Sequence, residues 1–130
     1  MEFTKKLGMR TTQSASGECR VDVELGPGHM SQAERAHGGV LFTLLDSAMG
    51  RAVISALPEG RGCATVECKI NFFRPVQKGR LVATGKVVNL SRRVAYAEGS
   101  IVNDDGKLVA RASGTFFLTE TLVQSERERL

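Results

Sequence analysis

The segment HGGVLFTLLDSAMG, residues 37–50, decides the fold of this chain. Its apolar side chains recur at helical spacing, and the run is too long for an ordinary strand. The pattern predicts a buried helix from about Gly39 to Leu57, ended by Pro58 and the glycines that follow it. The two glycines at its start allow a sharp turn into the helix and leave N–H groups free at its positive end. Asp46 is the only carboxylate inside the run, and an ionised side chain there needs a compensating group.

Alternating apolar and polar residues on both sides of this helix predict strands. Two precede it, within residues 9–15 and 19–25, and four follow it, within residues 63–73, 81–90, 94–102 and 108–118. The order predicts an α+β fold: an antiparallel sheet of five or six strands, the last four in a meander, wrapped around one long central helix. One helix covers only one face of a sheet, so the other face should be partly apolar and favour self-association.

Length and composition indicate a single domain spanning residues 1–130, with residues 1–6 and 120–130 expected to fray. No apolar stretch is long enough to cross a membrane, and the first residues lack the apolar segment of a secretory signal, so a cytoplasmic location is predicted. The three cysteines show no metal-type spacing, and strand alternation would turn Cys63 and Cys68 to opposite faces. They are therefore interpreted as reduced thiols of the core.

The formal net charge of +4 is modest. The chain contains no RNA-binding aromatic signature and no DNA-reading motif, so no nucleic-acid partner is predicted. Its basic residues include Arg74, Arg92 and Arg93, near the predicted strand ends. They are either solvated surface charges or contacts for a ligand that carries phosphate groups.

Three further motifs accompany the helix: NFFRP at residues 71–75, SRRVAY at 91–96 and DDGKLVA at 104–110. Together with His37-Gly38-Gly39 and Asp46, they resemble the hotdog-fold acyl-CoA thioesterases of the PaaI-like family, over about residues 7–119. The resemblance implies one hotdog domain that hydrolyses aromatic or medium-chain acyl-CoA. It also implies no metal and no cofactor besides the coenzyme A of the substrate, and a homodimer with shared sites that often pairs into a tetramer.

The resemblance also implies the catalytic roles. The N–H of Gly39 would be the oxyanion donor, with His37 beside it, and Asp46 would be nucleophile or general base. Thr65 matches a position whose hydroxyl lies near the acid. Seven residues of helix span about 10 Å, so a carbonyl held at Gly39 is out of reach of Asp46 in the same chain. The attacking carboxylate must then come from a second subunit.

Substrate contacts are expected from Gly38 and Phe42 on the helix, and from Arg74, Arg92 and Arg93, which would hold the phosphates of coenzyme A. One position departs from the family, which commonly has an asparagine six residues before the histidine. Here Ser31 stands at that position, and Gln32 is the residue that could substitute for it. The departure affects the expected rate and substrate preference more than the reaction class.

Two other functions fit parts of the sequence. A hotdog hydratase or dehydratase would need a histidine and an acid placed to move a proton next to the thioester carbonyl. A non-catalytic acyl-CoA-binding protein would keep the fold without the hydrolytic chemistry. The retained Asp46 argues against the second, whereas Ser31 leaves it open.

Overall fold

One sheet and one long helix make up most of the chain, and the computed structural model describes residues 2–120. The strands are β1 (Arg10–Ala15), β2 (Glu18–Glu24), β3 (Gly62–Phe72), β4 (Arg80–Leu90), β5 (Val94–Val102) and β6 (Leu108–Thr119). The helices are the short α1 (Phe3–Lys6) and the long α2 (Gly38–Ser55), with a 3-10 turn at Pro27–His29 between β2 and α2. All neighbouring strands are antiparallel, in the order β1-β2-β4-β5-β6-β3. This confirms the predicted antiparallel sheet around one central helix.

The core lies between α2 and the concave face of the sheet. Eight apolar residues of α2 are buried there, at the helical spacing that the sequence predicts: Val40, Leu41, Leu44, Leu45, Ala48, Met49, Ala52 and Val53. Phe116, Leu81 and Ile101 are fully buried on the strands that face the helix. Helix and sheet each have one apolar side and shield it by packing on the other.

Two glycines on the strands let the helix approach the sheet closely. A Cβ built on Gly85 of β4 would overlap the backbone carbonyl of Ala48, and one on Gly99 of β5 would lie 3.1 Å from side-chain atoms of Leu45 and Met49. The backbone of α2 therefore presses on β4 at a point where no side chain fits.

Gly85→Ala is expected to lower the free energy of unfolding by about 3 kcal/mol, because the new methyl group meets backbone that cannot rotate away. Gly26→Ala is the matched control, since nothing lies within 4 Å of a Cβ there, and it should change the free energy by less than about 0.5 kcal/mol. Urea denaturation of both variants measures the difference. Equal stability of the two variants would contradict the close approach.

The sequence predicts that the strand after the helix, β3, begins a meander of four strands. The structure shows that this prediction was wrong. β3 pairs with β6 at the sheet edge, whereas β4 pairs with β2 and β5. Residues 73–79 contain Pro75, form no hairpin and cross the start of α2, where the N–H of Ala36 donates to the carbonyl of Val76 at 2.8 Å. Only β4, β5 and β6 form a meander.

A β-bulge at Val66 changes which residues of β3 face the helix. Thr65 pairs with Phe116 and Glu67 pairs with Thr115, so Val66 has no partner and the alternation shifts by one. Cys63 and Cys68 consequently face the same side of the sheet, opposite Leu118 and Gly114. The prediction that these two thiols face opposite sides was wrong because a regular alternation was assumed. Within residues 2–120 no disulfide joins any of the three cysteines, and Cys19 is the one that is fully buried.

The first described residues include a short helix that lies near α2. Phe3–Lys6 forms α1, and the Glu2 carboxylate lies 3.8 Å from the Arg51 guanidinium on α2. Fraying of residues 1–6 stays a prediction, and residue 1 lies outside the described residues. Most of the fraying expected at residues 120–130 falls on 121–130, outside the described residues. Neither helix within residues 2–120 combines the length and the apolar character that a membrane crossing requires.

Candidate active site

One face of α2 is not covered by the sheet of its own chain. Gly38, Phe42 and Asp46 follow at intervals of four residues and so share one side of the helix. Phe42 is 41% exposed and Asp46 is partly buried. The sequence predicts a helix buried on nearly every side, but within residues 2–120 the side that carries these three residues is left open. Asp46 therefore lies on an accessible surface rather than in the core.

Thr65 holds the Asp46 carboxylate. Its hydroxyl donates to Oδ1 of Asp46 at 2.8 Å. The contact depends on the bulge at Val66, since Thr65 faces the helix immediately before the alternation shifts. The structure thus places these two predicted site residues together, and their catalytic roles remain predictions.

Cys68 lies next to this pair, which the sequence did not indicate. Burial raises the pKa of the Cys68 thiol to about 11, and the negative charge of Asp46 contributes in the same direction. Both effects disfavour the thiolate. Cys68 is therefore a protonated, weakly reactive thiol whose ionisation reports the charge of Asp46.

Asp46→Asn should speed the alkylation of Cys68 by iodoacetamide at mildly alkaline pH by about threefold. Removing the carboxylate charge lowers the pKa of the thiol, which raises its thiolate fraction at fixed pH. Mass spectrometry of the peptide that contains Cys68 gives the rate. Asp105→Asn, on the exposed hairpin before β6, is the control and should leave the rate unchanged. Identical rates in the Asp46→Asn protein and the unaltered chain would show that the carboxylate is not charged beside the thiol.

The start of α2 is capped by His37. Nδ1 of His37 accepts a hydrogen bond from the N–H of Gly39 at 2.8 Å, and its carbonyl accepts one from Val40 at 2.9 Å. The N–H of Gly39 was expected to be a free oxyanion donor, but here it is bound to the imidazole. The N–H of Gly38 donates to no group within residues 2–120. Gly38 therefore presents the available N–H at the positive end of the helix.

The same hydrogen bond determines the tautomer of His37. A neutral imidazole that accepts at Nδ1 carries its hydrogen on Nε2. His37 is exposed, and within the described part of the chain Nε2 has no partner. The start of α2 thus offers two donors, the N–H of Gly38 and Nε2–H of His37.

Two cavities flank the helix start. One, of about 390 Å³, has Gly38 in its wall together with Phe72, Arg35 and Arg74. The other, of about 510 Å³, has Gly39 and His37 in its wall, and its other lining residues carry no charge. The expected substrate-binding residue Phe42 lies in the second.

Ser31 and Gln32 lie on a turn before the helix. The Ser31 hydroxyl accepts a hydrogen bond from the N–H of Ala33 at 3.2 Å, and the Ser31 N–H donates to the carbonyl of Arg35 at 2.7 Å. Gln32 is exposed. The serine is thus engaged in its own turn, and substrate contact by either residue remains a prediction.

The three predicted phosphate contacts do not lie together in one subunit. The Nε–H of Arg74 donates to the carbonyl of Leu108, at the start of β6, at 2.9 Å. The carbonyl of Arg93 accepts from the N–H of Leu118 near the end of β6, and Arg92 and Arg93 border a separate cavity of about 730 Å³. About ten residues of strand separate the two positions by roughly 30 Å. Of these three arginines, Arg74 alone is near the helix start.

Three residues of the candidate site were not predicted from the sequence. Arg35 and Phe72 line the cavity beside Gly38, and Cys68 lies at Asp46. Phe72 belongs to the NFFRP motif, which was a usable signal. Nothing in the sequence pointed to Arg35. The position of Cys68 near Asp46 could be predicted only with knowledge of the bulge at Val66.

Known proteins with a similar sequence and structure show to which family this chain belongs. The profile of the thioesterase superfamily matches residues 34–110, a range that includes the helix start, Asp46 and Thr65. PaaI, the phenylacetic acid degradation protein of Thermus thermophilus, solved as a single-residue mutant, is 36% identical with a TM-score of 0.81, covering 88% of this chain and 96% of that one. The PaaI protein of the E. coli phenylacetic acid degradation operon is 27% identical with a TM-score of 0.84, over 91% and 84% of the two chains. Thioesterase HI1161 of Haemophilus influenzae shares the fold at 21% identity, with a TM-score of 0.85 over 93% and 84%.

The antiparallel sheet wrapped around one long helix defines the hotdog fold, and the match to the thioesterase superfamily defines a hydrolase. The chain belongs to the thioesterase superfamily and is a PaaI-like hotdog thioesterase. This confirms the family resemblance and the hydrolase class that the sequence implies.

Proposed function

We propose that this protein hydrolyses aromatic or medium-chain acyl-CoA to the free acid and coenzyme A. The observation that carries the proposal is the single helix bearing both parts of the chemistry: free donors at its start and the Thr65-held carboxylate of Asp46 further along. We propose no metal and no cofactor besides the coenzyme A of the substrate. We also propose a cytoplasmic location, with which the absence of a disulfide among the cysteines of residues 2–120 agrees.

The start of α2 would bind the carbonyl oxygen of the thioester. As the oxygen becomes negative, it would be stabilised by the N–H of Gly38, by Nε2–H of His37 and by the positive end of the helix dipole. The N–H of Gly39 could join only if the imidazole releases it. Donors already fixed in place need no rearrangement when the charge develops.

Asp46 would supply the attacking group. Its carboxylate either attacks the thioester carbon directly or removes a proton from the attacking water, and coenzyme A leaves as the thiol. The hydroxyl of Thr65 on Oδ1 orients the carboxylate and leaves Oδ2 for this work. Thr65 therefore acts through Asp46 rather than on the substrate.

The site requires two subunits. α2 is continuous from Gly38 to Ser55, so Gly38 and Asp46 of one chain are separated by about 12 Å. A two-fold partner with its helix antiparallel would bring Asp46 of the partner subunit to this Gly38, with Phe42 midway, near the axis. Pairing of two such dimers into a tetramer would use the exposed apolar residues on the outer sheet face, Val94, Tyr96 and Phe117.

The same two-fold arrangement would bring Arg74 of one subunit close to the end of the other subunit that carries Arg92 and Arg93. Arg74 lies at the helix-start end of the sheet, and Arg92 and Arg93 lie at the other end. Antiparallel helices would turn the Arg92 end of the partner toward Arg74 of this chain. Guanidinium groups from both chains would then surround the phosphates of coenzyme A.

Release of free thiol from a panel of acyl-CoAs tests the proposal. The purified protein should release coenzyme A from aromatic or medium-chain acyl-CoA in repeated turnovers. Binding of substrate without thiol release would instead support the acyl-CoA-binding alternative. Addition or loss of water across the acyl chain, with the thioester intact, would support the hydratase alternative.

A further inference from the structure

The uncharged cavity beside Gly39 is built partly by the N-terminal segment. Phe3 and Leu7 form one side of it, and Met30, Val40 and Phe42 contribute further apolar surface. Its volume of about 510 Å³ is in the range of small-molecule sites. The wall therefore depends on residues that precede the sheet.

Three hydrogen bonds of His29 help to hold this wall against the helix. Nε2–H of His29 donates to the carbonyl of Leu7 at 2.7 Å, while Nδ1 of His29 accepts from the N–H of Gly26 at 2.9 Å. The carbonyl of His29 also accepts from the N–H of His37 at 2.9 Å. His29 thus connects the N-terminal segment to the residue that caps α2.

Most polar groups of this cavity are already paired. Both nitrogens of His29 are used, and the Thr43 hydroxyl donates to the carbonyl of Gly39 at 2.8 Å. Nε2–H of His37 remains, beside the position proposed for the thioester carbonyl. A cavity whose side chains offer one unpaired donor, at its edge, and otherwise apolar walls suits an uncharged acyl group better than a nucleotide.

The cavity on the Gly38 side has the opposite character. It carries Arg35 and Arg74, so a phosphate-bearing ligand is attracted to that side. A thioester bound at the start of α2 would therefore lie between an apolar side and a cationic side.

We propose that the cavity lined by Phe3 and Leu7 binds the acyl group, and that the N-terminal segment sets the preferred acyl length. The coenzyme A part of the bound substrate lies on the side of Arg35 and Arg74. This inference rests on the proposed function for the position of the thioester at the helix start. It assigns a specificity role to residues outside the helix motif that the sequence analysis singled out.

Equilibrium binding of S-alkyl-CoA thioethers, from ethyl to octyl, tests the inference without hydrolysis. In the unaltered protein each added CH₂ should tighten binding by about fourfold until the cavity is full. Leu7→Trp should end this gain at a shorter chain length and leave the affinity for coenzyme A itself unchanged, because the larger indole occupies part of the cavity. Leu90→Trp, on an exposed leucine of β4 that belongs to neither cavity, should retain the gain.

A second variant covers the case in which Leu7→Trp does not fold. Phe3 is 64% exposed, so Phe3→Ala should fold and should weaken octyl binding by about fivefold with little change for ethyl. A chain-length gain that is absent from the unaltered protein, or is equal in the Phe3→Ala and Leu90→Trp proteins, would overturn the inference. If the gain follows the prediction and the acyl-CoA panel shows no thiol release, the proposed function fails and the acyl cavity stands.

Discussion

Asp46→Asn is expected to lower kcat for acyl-CoA hydrolysis by about a thousandfold, the range for loss of a positioned general base or nucleophile. Asparagine has nearly the same shape and can still accept the Thr65 hydrogen bond, but it can neither attack the thioester nor take a proton from water. The side chain is on the open face of α2, so stability should change little. Thiol release gives kcat, and circular dichroism during heating checks the fold.

Asp105→Asn serves as the matched control, because it removes an exposed carboxylate far along the chain on the hairpin before β6. It should retain the activity of the unaltered protein. A kcat within tenfold of that value for Asp46→Asn would contradict a direct role of the carboxylate and would favour a structural hydrogen bond with Thr65.

Gly38→Pro should lower kcat by roughly a hundredfold or more, the cost of losing one oxyanion donor. Proline removes the N–H of residue 38 but suits the first helical position, and His37, with φ −63° and ψ 137°, already has the extended backbone that precedes proline. Gly38→Ala keeps the N–H, and a Cβ there would lie 3.5 Å from the Phe72 ring, an ordinary contact. Alanine should therefore be far more active than proline. Equal losses in the two variants would assign the effect to crowding instead of the N–H.

Mixing these inactive subunits tests the shared site directly. When Gly38→Pro and Asp46→Asn chains are unfolded together and refolded, half of the dimers should be mixed, and each mixed dimer should contain one intact site. Activity should return to about a quarter of that of the unaltered protein. Sites formed within one chain would give no recovery. A fully active monomer in sedimentation experiments would also contradict the shared site.

The sequence predicted the structure correctly where the environment of a residue depends on its neighbours along the chain. The spacing of apolar residues located α2 to within a residue or two and identified the helix residues that are buried. Alternation located all six strands. In β4 and β5 the buried residues recur at every second position, because one face of the sheet packs on the helix. Alternation did not determine which strands pair. Residues 73–79 lead from β3 across the start of the helix to β4, so β4 does not pair with β3, and β3 pairs with β6 instead.

The candidate site shows the same division. By itself the sequence determined that a glycine-led helix carries Asp46, and that helix geometry separates the acid from the donors. The tertiary structure decided which groups are available: the bulge at Val66 turns Thr65 to Asp46, and the imidazole of His37 takes the N–H of Gly39, which leaves that of Gly38. It also placed Arg74 far from Arg92 and Arg93, and used Phe3 and Leu7 as a cavity wall. Helical and strand periods arise from local backbone geometry and can be read along the chain, whereas bulges, caps and cavity walls depend on contacts between distant segments.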